Sequence, residues 1–383
     1  MSAMHVMPSG VAMAVNDLVD NVAKIQPGHE VLLLAHLEGL HGGDNLVDEQ
    51  AIAWIQSAIH QRGANASVLW VDEKDQPHAW RIPPVLNAAL SGCDVFINHS
   101  FNLTTEDIRP LKNRSLELGI RYVRNFATTA ALLNTAWAQT PSELVAEIRL
   151  QASKTFKIGS EWELKDANGT HLQGTIGPSA FSAFPTYACY REDGGGYLPW
   201  PEWVLPPITL KETSGVFIFD CMLSWWSRYI GISPYFKEPI LLNIDNGRIM
   251  KIEGGDEADA LAVFLKSMKK KVGDCVYDFA YMHTGVHPQA KVGPHQCPNQ
   301  NYRRVIEHGH TSNIHVHIGS EHQDKTYPYW LHITGDIRTA TWRVGDTLVH
   351  DRGRLLALEN PEVLAVAAKY PDRPGLGDEP WRY

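Results

Sequence analysis

Cysteine is scarce in this chain and nowhere paired. Five occur in 383 residues: Cys93, Cys189, Cys221, Cys275 and Cys297 are widely spaced with no CxxC, which argues against a disulfide framework or a structural zinc knuckle. The odd number fits a reducing compartment. Positive charge is also in short supply, with 34 Lys and Arg against 43 Asp and Glu and a formal net charge of −9. Nucleic acid or an anionic membrane as main partner would need a concentrated positive surface. The one basic run, Lys269-Lys270-Lys271, falls at an expected helix end, where it reads as solvated cap chemistry. Long hydrophobic runs are missing as well. No stretch approaches a membrane span and the first residues show no basic leader followed by an apolar core, so the expectation is a cytoplasmic protein. A GLHGG at 39–43 lacks both the GxGxxG spacing and the Lys-Ser/Thr of a phosphate loop, so no nucleotide site is expected.

What is present is ordinary globular composition, 44% hydrophobic and 20% charged, with twelve Trp. The length allows two domains. From about residue 12 to 156, continuous apolar strands alternate with amphipathic helices. The strands are Val31–His36, Ala66–Asp72, Asp94–His99 and Ile120–Asn125; the helices are Asp48–Arg62, Pro84–Gly92, Thr105–Gly119 and Ser142–Phe156. That alternation predicts a doubly wound α/β domain with a parallel sheet over residues 1–150. Ligands of such sheets sit beyond the carboxyl ends of the strands, where His36 and His99 fall. Residues 159–213 are rich in Gly, Pro and aromatics, and Trp200 and Trp203 beside prolines are expected to form rigid apolar walls. The Gly194–Gly196 run reads either as a surface turn or as a hinge. Strands at Gly215–Asp220, Pro239–Ile244 and Arg248–Ile252 follow, the last two joined by the hairpin signal Asp245-Asn-Gly. A helix is expected over Glu257–Lys271 and a last strand near Ala340–Val344, before a hairpin around Gly345. Residues 151–383 are therefore predicted to be an α+β domain with antiparallel strands.

Histidine is the excess that organises the chain. Nine of the eighteen fall within residues 281–332, and a local surplus of imidazole is first a metal hypothesis. His295, His308, His310 and His322 lie among Gly, Pro, Asn, Gln and charges and read as exposed loop. His283 closes the apolar run Val276–His283. His315 and His317 alternate with Ile314, Val316 and Ile318, which predicts a strand with both imidazoles on one face. His332 follows Tyr327–Leu331 at the start of another strand. A buried histidine bonded to backbone is the competing reading for each one.

Taken together, these segments resemble the 2,5-dihydroxypyridine 5,6-dioxygenase family of Fe(II) ring-cleaving enzymes, whose fold is shared with the M29 aminopeptidases. The matching pieces are Asp94-Val-Phe-Ile-Asn-His99-Ser, Trp200-Pro, Gly215-Val-Phe-Ile-Phe-Asp, Ile240 through Ala258, His283-Thr-Gly, Asn313 through Gly319, and Leu331-His332-Ile. The resemblance implies that His283 and His332 bind iron, that His99 hydrogen-bonds substrate and moves a proton, and that Arg338 occupies a basic position of the site. Two departures matter. Thr334 stands where the family has an Asp ligand, and His317 where it has a Ser. A neutral hydroxyl replaces an anion poorly, whereas an added imidazole restores the donor count, so the expected metal ligands are His283, His317 and His332. His315 shares a face with His317 and is the named alternative; Asp336 is the competing anionic donor.

The function these residues imply is a mononuclear Fe(II) dioxygenase that takes O2 and a hydroxylated aromatic or N-heteroaromatic substrate, as an expected homo-oligomer. The alternatives are a zinc hydrolase of the M29 aminopeptidase-like fold, since three imidazoles plus water also suit zinc, and a metal-binding protein without enzymatic activity. Thr334 keeps the last alternative open.

Overall fold

In a computed structural model, the described residues are 6–36, 46–71, 82–99, 109–177, 196–205, 207–319, 331 and 333–377. Four parallel strands open the chain: β1 (Glu30–His36), β2 (Asn65–Val71), β3 (Val95–Asn98) and β4 (Arg121–Asn125). Leu32, Leu33, Leu34 and Ala35 are all buried, so β1 is covered on both faces, which is why its sequence is a continuous apolar run rather than an alternation. The helix Glu49–Gln61 covers one of those faces. Asp48 caps it by accepting from the Ala51 amide at 2.6 Å, and Ile52, Ile55 and Ile59 form its buried stripe. Helices Pro84–Leu90, Arg109–Glu117 and Ser142–Ser153 follow the expected order; residues 105–108 of the expected third helix lie outside the described residues.

Within residues 159–213, the described part adds strands that the sequence reading did not assign. Strands β5 (Glu161–Lys165) and β6 (His171–Ile176) make a hairpin, with Trp162, Leu164, Leu172 and Ile176 buried in the core. Next, β7 (Gly196–Trp200) pairs in parallel with β4, giving the strand order β2-β1-β3-β4-β7. A strand from well beyond residue 150 thus completes the parallel sheet. The order reverses beside β1, the kind of switch point that opens a crevice past the carboxyl ends of the strands.

The second sheet is antiparallel and eleven-stranded. Its long member β8 (Ile208–Met222) pairs with β6 and β9 (Tyr235–Asp245), and β9 pairs with β10 (Arg248–Glu253). The turn between β9 and β10 holds Asn246 at φ 44° and Gly247 at φ 77°, the left-handed pair that an Asn-Gly hairpin turn requires. The helix Asp256–Val272 carries three acids in its first turn and Lys269, Lys270 and Lys271 in its last, matching the helix dipole at both ends. Strands β11 (Phe279–Thr284), β12 (Ile314–Ile318) and β13 (Ile333–Ile337) follow, and then β14 (Thr341–Val344), β15 (Thr347–Asp351) and β16 (Arg354–Leu355).

One core lies between this sheet and its helices. A second core joins the two halves of the chain: Val123, Phe126 and Trp137 pack with Trp200, Trp203, Trp225, Tyr302 and Val305. The helix Gln300–His308, which carries Tyr302 and Val305, is thereby fixed against the parallel sheet at one end and the antiparallel sheet at the other.

Candidate metal centre

Three adjacent strands build the site. Across β11 and β12, His283 lies opposite His315 and Tyr281 opposite His317; across β12 and β13, His315 lies opposite Asp336 and His317 opposite Thr334. Because side chains alternate along a strand, His283, His315, His317, Thr334 and Asp336 share one face. The other face carries Met282, Ile314, Val316, Ile318 and Ile333, all within the core. Burial on both faces fixes the register, since a slip of one residue would drive the imidazoles into that core.

His283 is the most constrained member. Its Nδ1 lies 2.6 Å from the Leu205 carbonyl oxygen, which can only accept, so Nδ1 carries the proton and Nε2 the lone pair. That Nε2 is 2.7 Å from Nε2 of His317. The His283 ring centroid is 3.7 Å from that of His315 and 4.7 Å from that of His317. The nitrogens of His283, His315 and His317 can all approach within 4.8 Å of one another, and all three residues are buried. A backbone carbonyl that fixes the tautomer of one imidazole while its other nitrogen faces further imidazoles is the arrangement metal-binding histidines use, so the donor set fits a cation that favours nitrogen.

Thr334 is not a donor to this cluster. Its Oγ1 accepts from the Leu223 amide at 3.1 Å, tying β13 to the end of β8. Asp336, fully buried, forms a different group: its Oδ2 accepts from Arg304 Nη2, from His308 Nδ1 at 2.8 Å and from Asn313 Nδ2 at 3.0 Å. The His308 and His315 ring centroids are 3.7 Å apart.

Of the expected ligands, His283 and His317 are brought together, with His315 as the third imidazole of the cluster. His332 lies outside the described residues. Two histidines assigned to exposed loop are in fact buried, His308 at 3% exposure and His310 at 5%. His308 is the last residue of a helix capped by Asn299, whose Oδ1 accepts from the Tyr302 amide at 2.9 Å. At Gly309 a Cβ would overlap the Trp203 indole, so glycine here marks close packing rather than an open loop. His295 is exposed as expected, and His322 lies outside the described residues.

His99 sits just past β3, fully buried, with Nδ1 donating to the Leu34 carbonyl at 3.2 Å. Desolvation pushes its pKa down to about 4, so it is neutral at pH 7 with Nε2 as acceptor. Among the described residues that Nε2 has no hydrogen-bond partner. Arg338 is buried just beyond β13 and donates to Asp220 Oδ1 at 3.1 Å.

A parallel five-stranded sheet joined to an antiparallel sheet that carries the histidine cluster defines an M29 aminopeptidase-like fold of mixed α/β class. The 2,5-dihydroxypyridine dioxygenase of Pseudomonas putida KT2440 superposes with a TM-score of 0.59 at 16% identity, covering 93% of this chain and 99% of that one. AmpT from Thermus thermophilus superposes with a TM-score of 0.54 at 12% identity, over 91% and 98% of the two chains. At these identities the likeness is one of fold. No family model matches the sequence, and no curated protein matches it.

Proposed function

We propose that the chain is an Fe(II)-dependent dioxygenase that opens a hydroxylated aromatic or N-heteroaromatic ring with O2. The observation that carries this reading is the all-imidazole cluster of His283, His315 and His317, in a fold shared with a dioxygenase. His283 and His317 would hold the metal with His315; His332, the residue just before β13 in the sequence, is the further donor the sequence nominates. Iron held there would supply the redox chemistry that couples an aromatic diol to O2. The chain's own contribution is positioning. Leu205 orients His283, the neutral imidazole shell would leave a bound dication uncompensated and so favour a deprotonated diol or hydroxy-acid, and core burial excludes water from the far side of the strands. His99 Nε2 is the acceptor that takes a substrate hydroxyl proton, and Arg338 supplies positive charge near an anionic substrate. Residues 1–150 would then carry the proton-handling group and residues 151–383 the metal.

A second reading, a zinc hydrolase, is favoured by the same three imidazoles, which also suit tetrahedral zinc with one open position, and by the fold shared with AmpT. A two-metal peptidase site is disfavoured because carboxylates should surround the metals. The group formed by His283, His315 and His317 contains none, and Asp336 is committed to Arg304, His308 and Asn313. The deciding experiment is anaerobic reconstitution with Fe(II), then admission of air with 2,5-dihydroxypyridine and related diols while O2 and ring absorbance are followed. Stoichiometric O2 uptake with loss of ring absorbance supports the dioxygenase. Peptide or ester hydrolysis by the Zn(II)-loaded protein without O2 uptake supports the rival.

A further inference from the structure

Asp336 is the only carboxylate in the described metal-capable histidine groups, where it stands with His308 and His315. Taken alone, that grouping describes a second metal site. Two observations point elsewhere. Arg304 is fully buried and its guanidinium donates to Asp336 Oδ2; a dication on that carboxylate would stand against a cation that cannot shed its proton. In addition, His308 Nδ1 is 2.8 Å from the same oxygen, the distance of an N–H donating to a carboxylate, which turns Nδ1 away from service as a ligand.

We propose that Asp336 and Arg304 form one charge-neutral pair that positions His308, and through it His315, beside the metal, with Asp336 contributing no ligand atom. This rests on the metal-centre reading above. Register places His283, His315 and Asp336 in a row across three strands, and the His315 ring lies 3.7 Å by centroids from His283 on one side and from His308 on the other. His315 is therefore clamped, and one jaw of the clamp is set by the carboxylate. Asn313 Nδ2 braces that jaw twice, donating to Asp336 Oδ2 and to the His308 carbonyl, each at 3.0 Å. Because Arg304 balances the carboxylate locally, a dication held by the imidazoles would keep its charge uncompensated although an acid lies one residue pair away. Arg304 and Asp336 are positioning residues in this account.

Two measurements test the inference. In apo protein labelled with 15N-histidine, long-range 1H–15N spectra, assigned with His308→Gln, should show His308 as the Nδ1–H tautomer; an Nε2–H tautomer overturns the inference whether or not metal binds. Co(II) titration should give one ion per chain in the wild type, in Asp336→Asn and in the double variant Arg304→Gln/Asp336→Asn. Binding in both variants should be about 10–100-fold weaker, with a shifted visible spectrum, the usual consequence of losing a group behind a ligand. The double variant removes both charges, so it carries the test if the single one fails to fold. Two Co(II) ions per wild-type chain, loss of all Co(II) from a folded variant, or unchanged affinity and spectrum would each overturn it. A wild type that binds no Co(II) contradicts the metal reading itself, an outcome distinct from these.

Discussion

The Leu205 carbonyl accepts the His283 Nδ1 proton at 2.6 Å, and the opposite nitrogen of the same ring lies 2.7 Å from His317 Nε2. A backbone oxygen thus decides which nitrogen of this buried imidazole carries the lone pair. His283→Ala and His317→Ala should each abolish metal retention on dialysis while leaving the far-UV circular dichroism unchanged. Stoichiometric metal in either variant would remove that residue from the ligand set.

Thr334 offers a gain-of-charge test. It lies opposite His317 and is fully buried, and its present partner is the Leu223 amide. Thr334→Asp should bind metal at least as tightly as the wild type. The apo form should lose stability by roughly 3–5 kcal/mol, the scale of an uncompensated buried charge, and metal should restore it. Denaturant melts with and without Fe(II) check both halves; a variant equally stable in the two states contradicts the placement of Thr334 beside the metal.

His99→Ala should keep its metal and lower turnover by about 10²–10⁴-fold, the usual range for a positioned acid or base. Loss of metal instead would place His99 among the ligands.

Acid should destabilise the fold through buried histidines. Burial holds His99, His310 and His350 at about 4 and His287 at about 3, against an ordinary 6.5. The folded values are depressed, so between these values and 6.5 the unfolded chain binds more protons and stability rises with pH. Their contribution is complete above about pH 6.5 and is lost as pH falls toward 4, or toward 3 for His287, at up to ~1.4 kcal/mol per pH unit for each group. Urea midpoints should therefore fall between pH 7.5 and pH 5. A midpoint that is flat or higher at pH 5 contradicts this account of the four sites.

Much of this architecture is legible in the sequence, and the exceptions have physical causes. The alternation Ile314-His-Val-His-Ile318 gives a strand with two imidazoles on one face because one face must be apolar to bury. Glu161-Trp-Glu-Leu-Lys165 alternates just as well, but five residues set in a Gly- and Pro-rich context are a weak strand signal. That β7 pairs with β4 is invisible locally, since parallel neighbours are joined only by a long crossover. His308 reads as loop because Gly309 and polar neighbours flank it, whereas its burial depends on Trp203 and on Asp336, which are distant in sequence. The Arg304–Asp336 pair spans 32 residues and follows no helix or strand period, so no pattern exposes it. His332 falls outside the described residues, and its role rests on the resemblance.

The most direct test of the central claim is X-ray absorption on protein reconstituted anaerobically with one equivalent of Fe(II). The account predicts one iron per chain, with at least three imidazole nitrogens at distances slightly longer than the about 2.0–2.2 Å of a zinc site, and no iron retained by His317→Ala. A shell dominated by carboxylate oxygen, or iron that washes out of the wild type, would contradict it.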